Sequence, residues 1–561
     1  MNYKFFTCLL VSMCLNIVII AQPINQLTNQ PINQLTNQPI NSISKTWVAD
    51  NGDGTYKNPI LHADYSDPDA IRVGKDFYMT ASSFNQVPGL PILHSFDLVN
   101  WRLINTVFTK QPPFDRFDKV VHGGGVWAPS IRFHKGEFYI YYPDPDEGIW
   151  MVKSKNPAGE WSEPLLVKKA KGWIDPCPFW DENGNAYLVN GLAGSRAGIK
   201  SVLIINKMSS DGTKLLDNGV IVFDGHANHP TVEGPKLYKR NDYYYILAPA
   251  GGVATGWQLA LRSKNIYGLY EEKIVLEQGK TNINGPHQGA WVDTQKGESW
   301  FLHFQDKDVY GRVVHLQPVS WENDWPLIGI DNDRNGVGEP VESFKKPNVG
   351  KTYQIETPPE SDEFNTDKIG LQWQWAANPQ PNFAFPAGSS YGFLRLFNVP
   401  IPEGANNLWN VPNLLTQKFP APEFTATTKC TFTARTENEE VGMIIMGLDY
   451  GYISIKKSET GFVIRQATCE NAEAGNVEIE NAKVSVANST LYFRVNVSNN
   501  ANCIFSYSAD GIQYYEIGKL FLAKKGKWIG AKIGLFAIRQ GKTYETGYAD
   551  FDWFRFEKLA P

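Results

Sequence analysis

From about Trp47 to Phe344 the chain alternates short apolar runs with Gly, Asn and Asp turns, and one composite pattern recurs five times. Each unit opens on a polar or small residue beside Pro or Gly and runs through an apolar strand. It then turns and continues into a second strand rich in Tyr and Phe. The openings are Asp67-Pro68-Asp69-Ala70-Ile71, Ala128-Pro129-Ser130-Ile131, Asp175-Pro176-Cys177-Pro178-Phe179, Glu233-Gly234-Pro235-Lys236-Leu237 and His287-Gln288-Gly289-Ala290-Trp291. Strand-forming flanks around such turns predict β-hairpins. The openings lie 47 to 61 residues apart, room for a four-stranded sheet in every unit. Repeats of that length predict the blades of a β-propeller, here five. A plain β-sandwich has no need of five near-equal repeats, and helical periodicity is nearly absent.

The pattern stops at Lys345-Lys346-Pro347-Asn348-Val349-Gly350 and Pro358-Pro359-Glu360, a linker by its Pro, Gly and charge content. Beyond it, alternating segments such as Leu491-Tyr492-Phe493-Arg494-Val495-Asn496-Val497 predict an antiparallel β-sandwich. At the other end, Lys4 and the apolar run Phe5 to Ile20, followed by Ala21-Gln22, read as a signal peptide. An exported protein, secreted or periplasmic, is expected. The residues before Cys14 match a lipid-attachment site poorly, so an anchored form is not. Residues 22–41 repeat the uncharged octapeptide Gln-Pro-Ile-Asn-Gln-Leu-Thr-Asn, which cannot bury enough surface to fold alone and acts as a spacer. The expected organisation is a leader at 1–21, a spacer at 22–45, an all-β five-bladed propeller at 46–343, a linker at 344–359 and a sandwich at 360–561.

Composition adds little to this picture. A formal net charge of −5 gives no reason to expect nucleic acid, and no further apolar run is long enough for a membrane span. Aromatic residues are 13 % of the chain, as dense β cores use and as sugar faces stack upon. Outside the leader, Cys177, Cys430, Cys469 and Cys503 are spaced for neither zinc nor a redox pair and read as buried free thiols.

Register is where chemistry enters. The inner strand of each blade runs along the central channel, so equivalent positions of different blades converge. Aligning the units puts Asp67, Ala128 (beside Trp127), Asp175, Glu233 and His287 at one level. A single Asp-Pro or Glu-Gly is ordinary turn chemistry. Three carboxylates and a histidine around one axis repel one another and raise a pKa, which folding alone has little reason to build. Cleaving a glycosidic bond calls for such a set: an acid for the departing oxygen and, for inversion, a base for water. A third carboxylate close to the acid would keep it protonated.

Several segments together resemble glycoside hydrolase family 43. They are Tyr65-Ser66-Asp67-Pro68-Asp69, Ser82-Ser83-Phe84, Pro88-Gly89-Leu90-Pro91-Ile92-Leu93-His94-Ser95, Asp97-Leu98-Val99-Asn100-Trp101, Gly125-Val126-Trp127-Ala128-Pro129, Ile174-Asp175-Pro176, Glu233-Gly234-Pro235 and Gly311-Arg312 leading to Gln317-Pro318-Val319-Ser320-Trp321. The tail from about 360 resembles the concanavalin-A-like sandwich of the β-xylosidase branch. The resemblance implies Asp67 as general base, Glu233 as general acid and Asp175 as the group that tunes and orients the acid. It further implies Arg312 on the carboxylate and sugar hydroxyls, Phe84 and Trp127 as pocket walls, and His287 near the axis. No cofactor is required by this reading. Calcium, which some relatives bind beside that histidine, is left open, but one histidine is a poor start for an ion that prefers oxygen. The implied activity is an inverting, exo-acting release of terminal β-D-xylose or α-L-arabinofuranose from plant cell-wall oligo- or polysaccharides. A propeller that binds carbohydrate without cleaving it, an endo-arabinanase and a retaining β-fructosidase-like enzyme are the competing readings. Asp144-Pro145-Asp146-Glu147-Gly148 is expected to be a solvated turn, with lining of the entrance as the alternative.

Overall fold

The computed structural model describes residues 43–541 and 545–560. The expected leader, Cys14 and almost all of the octapeptide spacer lie outside the described residues. Among those described, no helix is long and apolar enough to cross a membrane.

Five four-stranded antiparallel sheets follow one another along the chain, each in simple up-and-down order. Their innermost strands are Asp69–Val73, Ser130–His134, Trp173–Trp180, Lys236–Arg240 and His287–Asp293, heading blades I to V. These are the strands of the five repeats, a five-bladed propeller as the sequence predicts. The ring is latched by Thr55–Lys57, which pairs antiparallel with Ser343–Lys345. The expected propeller–linker boundary at 343–344 therefore falls inside a strand that chain-end pairing creates. Below the heads of the strands, side chains from four blades and a backbone N–H from the fifth meet around the axis. Asp69 Oδ2 accepts from Arg132 Nη1 at 2.6 Å, and Arg132 Nη2 lies 2.9 Å from Cys177 Sγ. The same guanidinium stands 5.3 Å from the Tyr238 ring, whose hydroxyl takes the Trp291 N–H at 3.1 Å. Burying a charged Arg is tolerable because Asp69 pairs with it.

After the linker come two packed sheets of eight strands each among the described residues. Thr490–Ser498 shows why: its residues are alternately buried and half-exposed, as its apolar/polar alternation requires. The core between the sheets also takes in Val309 and Tyr310 from the propeller. Further ties join the two parts. Val87 and Trp375 exchange backbone hydrogen bonds, His122 stacks on Trp409 at 3.5 Å, and Ser44, Lys45 and Thr46 bond to Glu360. The four described cysteines are free and buried.

Candidate active site

The heads of the inner strands are irregular where the chemistry was expected. Asp67 and Asp175 sit in the left-handed region, at φ 54° and 58°. The ladder slips between Ile174 and Cys177 in blade III and between His287 and Gly289 in blade V. A non-glycine residue held there costs on the order of 1–3 kcal/mol, and a bulge re-aims the side chain it carries. The surrounding sheets hold these conformations in place.

Asp67 is buried and fully engaged. The Ser66 and Ser82 hydroxyls donate to Oδ2 at 2.7 and 2.6 Å. Arg312 Nη1 lies 3.1 Å from Oδ1 and 3.3 Å from Oδ2, and also donates to Ser66 Oγ at 2.8 Å. The Arg312 guanidinium rests 4.8 Å from the Phe304 ring. Asp175, 3 % exposed, accepts the Gly234 N–H at 2.7 Å. Burial pushes its carboxyl up to about 8, the charges of Glu233 and Asp67 push the same way, and Gly234 and Lys236 oppose them. At neutral pH Asp175 thus keeps a proton. Of the three carboxylates, the deepest burial, and with it the raised carboxyl, falls on Asp175. Glu233 instead opens outward, its side chain one-third exposed. Its Oε1 lies 2.9 Å from Nε2 of buried His287, whose Nδ1 has no protein partner. Three carboxylates, Arg312 and His287 are thereby gathered at one end of the channel.

The walls come from farther apart. Trp127 is half-buried, with its indole N–H donated to Gly123 O at 2.8 Å. Phe84 is buried, and its main chain exchanges two hydrogen bonds with Val126, so it braces the Trp127 segment from behind. A further wall was not foreseen. Trp528, from a sandwich loop and 50 % exposed, stands edge-on to Trp127 at 6.1 Å and 6.0 Å from the Arg312 guanidinium. Gly123 makes room for it: a Cβ there would lie 2.8 Å from the Trp528 ring. The only sequence signal for Trp528 is a lone Trp between Gly526 and Gly530 in a Lys-rich loop. Ser66, Ser82 and Lys236 were also missed.

The acidic segment 144–147 is a correction. Asp144 is buried and pairs with Arg116 at 3.2 Å, and burial raises its carboxyl to about 6. Asp146 joins Arg116 at 2.9 Å to Arg196 at 3.3 Å, and Arg196 lies over Trp127 at 5.5 Å. Two arginines draw the supposed solvated turn into the rim of the site.

Among the described residues no group of three or more His, Cys, Asp and Glu is arranged to hold a metal ion. Calcium takes six to eight oxygens. His287 offers nitrogen, and its Nε2 is already bonded to Glu233, so nothing among the described residues points to calcium.

Comparison with known proteins places this geometry. The family model "Glycosyl hydrolases family 43" matches residues 56–326, and "Beta xylosidase C-terminal Concanavalin A-like domain" matches 361–557. A protein of Xylanibacter ruminicola is 42 % identical over 496 residues, 88 % of either chain. The "Beta-xylosidase" of Formosa agariphila is 33 % identical over 563 residues, covering 91 % of this chain and 92 % of its own. The "Non-reducing end alpha-L-arabinofuranosidase BoGH43B" of Bacteroides ovatus is 28 % identical, covering 90 % and 95 %. The solved xylan β-1,4-xylosidase of Bacillus halodurans shares the fold, with a TM-score of 0.79 at 24 % identity over 90 % of this chain and all of that one.

Proposed function

The chain belongs to glycosyl hydrolases family 43 and is a glycoside hydrolase, and from that premise we propose an inverting, exo-acting pentosidase in which Asp67, Asp175 and Glu233 do the chemistry. The observation that carries the reading is the division of labour among the carboxylates. Asp67 is gripped by Arg312 and two serine hydroxyls, while Glu233 faces solvent beside a buried Asp175 whose carboxyl is raised by that burial.

In this mechanism Asp67 takes a proton from water as the water attacks the anomeric carbon. Glu233 gives a proton to the glycosidic oxygen as its bond to that carbon breaks. Glu233 is the carboxyl open to the leaving group, and Asp175, which holds the Gly234 N–H next to it at 2.7 Å, positions it. His287 orients Glu233 through the 2.9 Å contact. Inversion asks for roughly 6.5–9.5 Å between base and acid, room for the water. Trp127 and Trp528 would flank the terminal sugar, with Phe84 behind. The sealed axis beneath and the sandwich loop above favour a chain end over a threaded polymer.

The sugar is a terminal β-D-xylose or α-L-arabinofuranose of a plant cell-wall oligo- or polysaccharide, the two that the names of its relatives suggest. Between them the higher identity to the relative named for β-xylosidase, 33 % against 28 %, favours xylose. Export through a leader at 1–21 would suit such a substrate. A panel of nitrophenyl pentosides, with NMR of the first-formed sugar, tests the whole reading. Hydrolysis of a xyloside or arabinofuranoside with inverted anomeric configuration is expected. Retention would remove Asp67 from its role, and silence on every pentoside would favour a carbohydrate-binding protein.

A further inference from the structure

Asp64 lies three residues before Asp67, is 5 % exposed, and has each oxygen taken by a different part of the chain. Oδ1 accepts the backbone N–H of Arg312 at 2.9 Å, and Oδ2 accepts that of Gly530 at 2.9 Å. The first is the residue whose guanidinium grips Asp67. The second lies two residues after Trp528. One carboxylate thus joins the propeller turn behind Arg312 to the sandwich loop that carries the outer wall.

The two backbones meet without side chains between them. A Cβ on Gly530 would stand 2.6 Å from Gly311 N and 2.7 Å from Tyr310 C, and a Cβ on Gly311 would stand 2.5 Å from Asp64 Cγ. The contact is reinforced on both sides. Ala531 N–H donates to Val309 O at 2.7 Å. The Tyr310 hydroxyl donates to Pro422 O at 3.0 Å and accepts from Ala501 N at 3.1 Å. Burial holds the sandwich lysines Lys418 and Lys532 below their ordinary range, the Asp64 charge opposes that shift in both, and their Nζ atoms share Gln374 Oε1. The Asp64 carboxylate is therefore the polar centre of the joint between the two halves of the molecule.

We propose that Asp64 is a positioning residue through which the sandwich sets the pocket, fixing Arg312 against Asp67 with one oxygen and Trp528 over the sugar with the other. It touches no sugar itself. The inference rests on the reading of Asp67 as base and Trp528 as wall, and it separates into two arms: the Arg312 arm governs turnover and the Trp528 arm governs substrate affinity.

The test uses the full chain and a nitrophenyl pentoside that the wild type cleaves, comparing Asp64→Ala, Gly530→Ala, Trp528→Ala and the Asp64→Ala/Trp528→Ala pair. A displacement near 1 Å at a catalytic group costs about 100-fold. Asp64→Ala should lower kcat/KM by about that factor, with kcat down and KM up. Gly530→Ala leaves the carboxylate in place but forces the turns apart, and should do the same. In the Trp528→Ala background, Asp64→Ala should still lower kcat but no longer raise KM. Hydrogen exchange should quicken at 307–313 and 526–531 in Asp64→Ala and in Gly530→Ala while blades II to IV stay protected. A folded Asp64→Ala enzyme with kcat and KM within twofold of wild type would overturn the proposal. So would an equal rise in KM in both backgrounds. If Asp64→Ala does not fold, Gly530→Ala decides: quickened exchange with unchanged kcat and KM would show a staple without a positioning role. If the wild type cleaves no pentoside, the functional reading fails. The joint is then still judged by exchange, where unaltered protection at both segments in Gly530→Ala would overturn it.

Discussion

Asp67, Asp175 and Glu233 are chemically similar side chains made different by what surrounds them. Asp67 meets a guanidinium and two hydroxyls, Asp175 meets a single N–H in a buried setting, and Glu233 meets a histidine and is one-third exposed. Glu233→Ala should cut turnover of natural linkages by about 10²–10⁴-fold, the usual worth of general acid catalysis. A nitrophenyl glycoside, whose leaving group needs no proton, should lose far less. Asp175 makes a separate prediction. Its carboxyl titrates near 8 in the folded protein and near its ordinary value of 3.8 when unfolded. Between those values the folded state binds the extra proton, so raising the pH from 5 to 8 removes stability. Thermal unfolding at a series of pH values should show that decline, and Asp175→Asn should flatten it. Register alone singles out the three carboxylates in the sequence, because each opens a repeat. Their different depths are not legible there, since burial is not written in a motif.

At the scale of elements, the site is made by departures from regular structure on a regular frame. Inner strands supply the frame, while left-handed residues and bulges at their heads turn side chains toward the axis. Period-two alternation predicted the strands well, including Thr490–Ser498. It says nothing about a loop such as Lys524–Gly530, whose tip has no period and whose partner Asp64 lies 466 residues from Gly530. The same blindness made the 144–147 segment look like a solvated turn, because Arg116 and Arg196 reach it from other segments. Trp528→Ala should raise KM about 10-fold with a smaller effect on kcat, because the sugar loses a large apolar face that packs against it. Steady-state kinetics on one aryl pentoside checks this. An unchanged KM would take Trp528 out of the pocket.

The whole molecule reads as two domains in sequence yet behaves as one body around its joint. Tyr310 belongs to a blade by chain position and to the sandwich by packing, buried among Phe419 and its neighbours. Linkers are read from composition, and composition cannot say that a turn from one side completes the core of the other. Domains that share a core unfold together. Calorimetry of the full chain should therefore give one cooperative transition, and cleavage in the 350–360 segment should not release an active propeller. Two well-separated transitions would contradict the shared core.

The side chains that meet across the axis, from Asp69 through Arg132, Cys177 and Tyr238 to Trp291, leave the cavity with a floor. A cul-de-sac has one doorway, so the liberated monosaccharide must back out along the path by which the chain end came in. Until it departs, no second chain can be admitted. Accumulating monosaccharide should therefore compete directly with substrate, and congestion at the threshold, rather than bond cleavage, would set the pace late in a digestion.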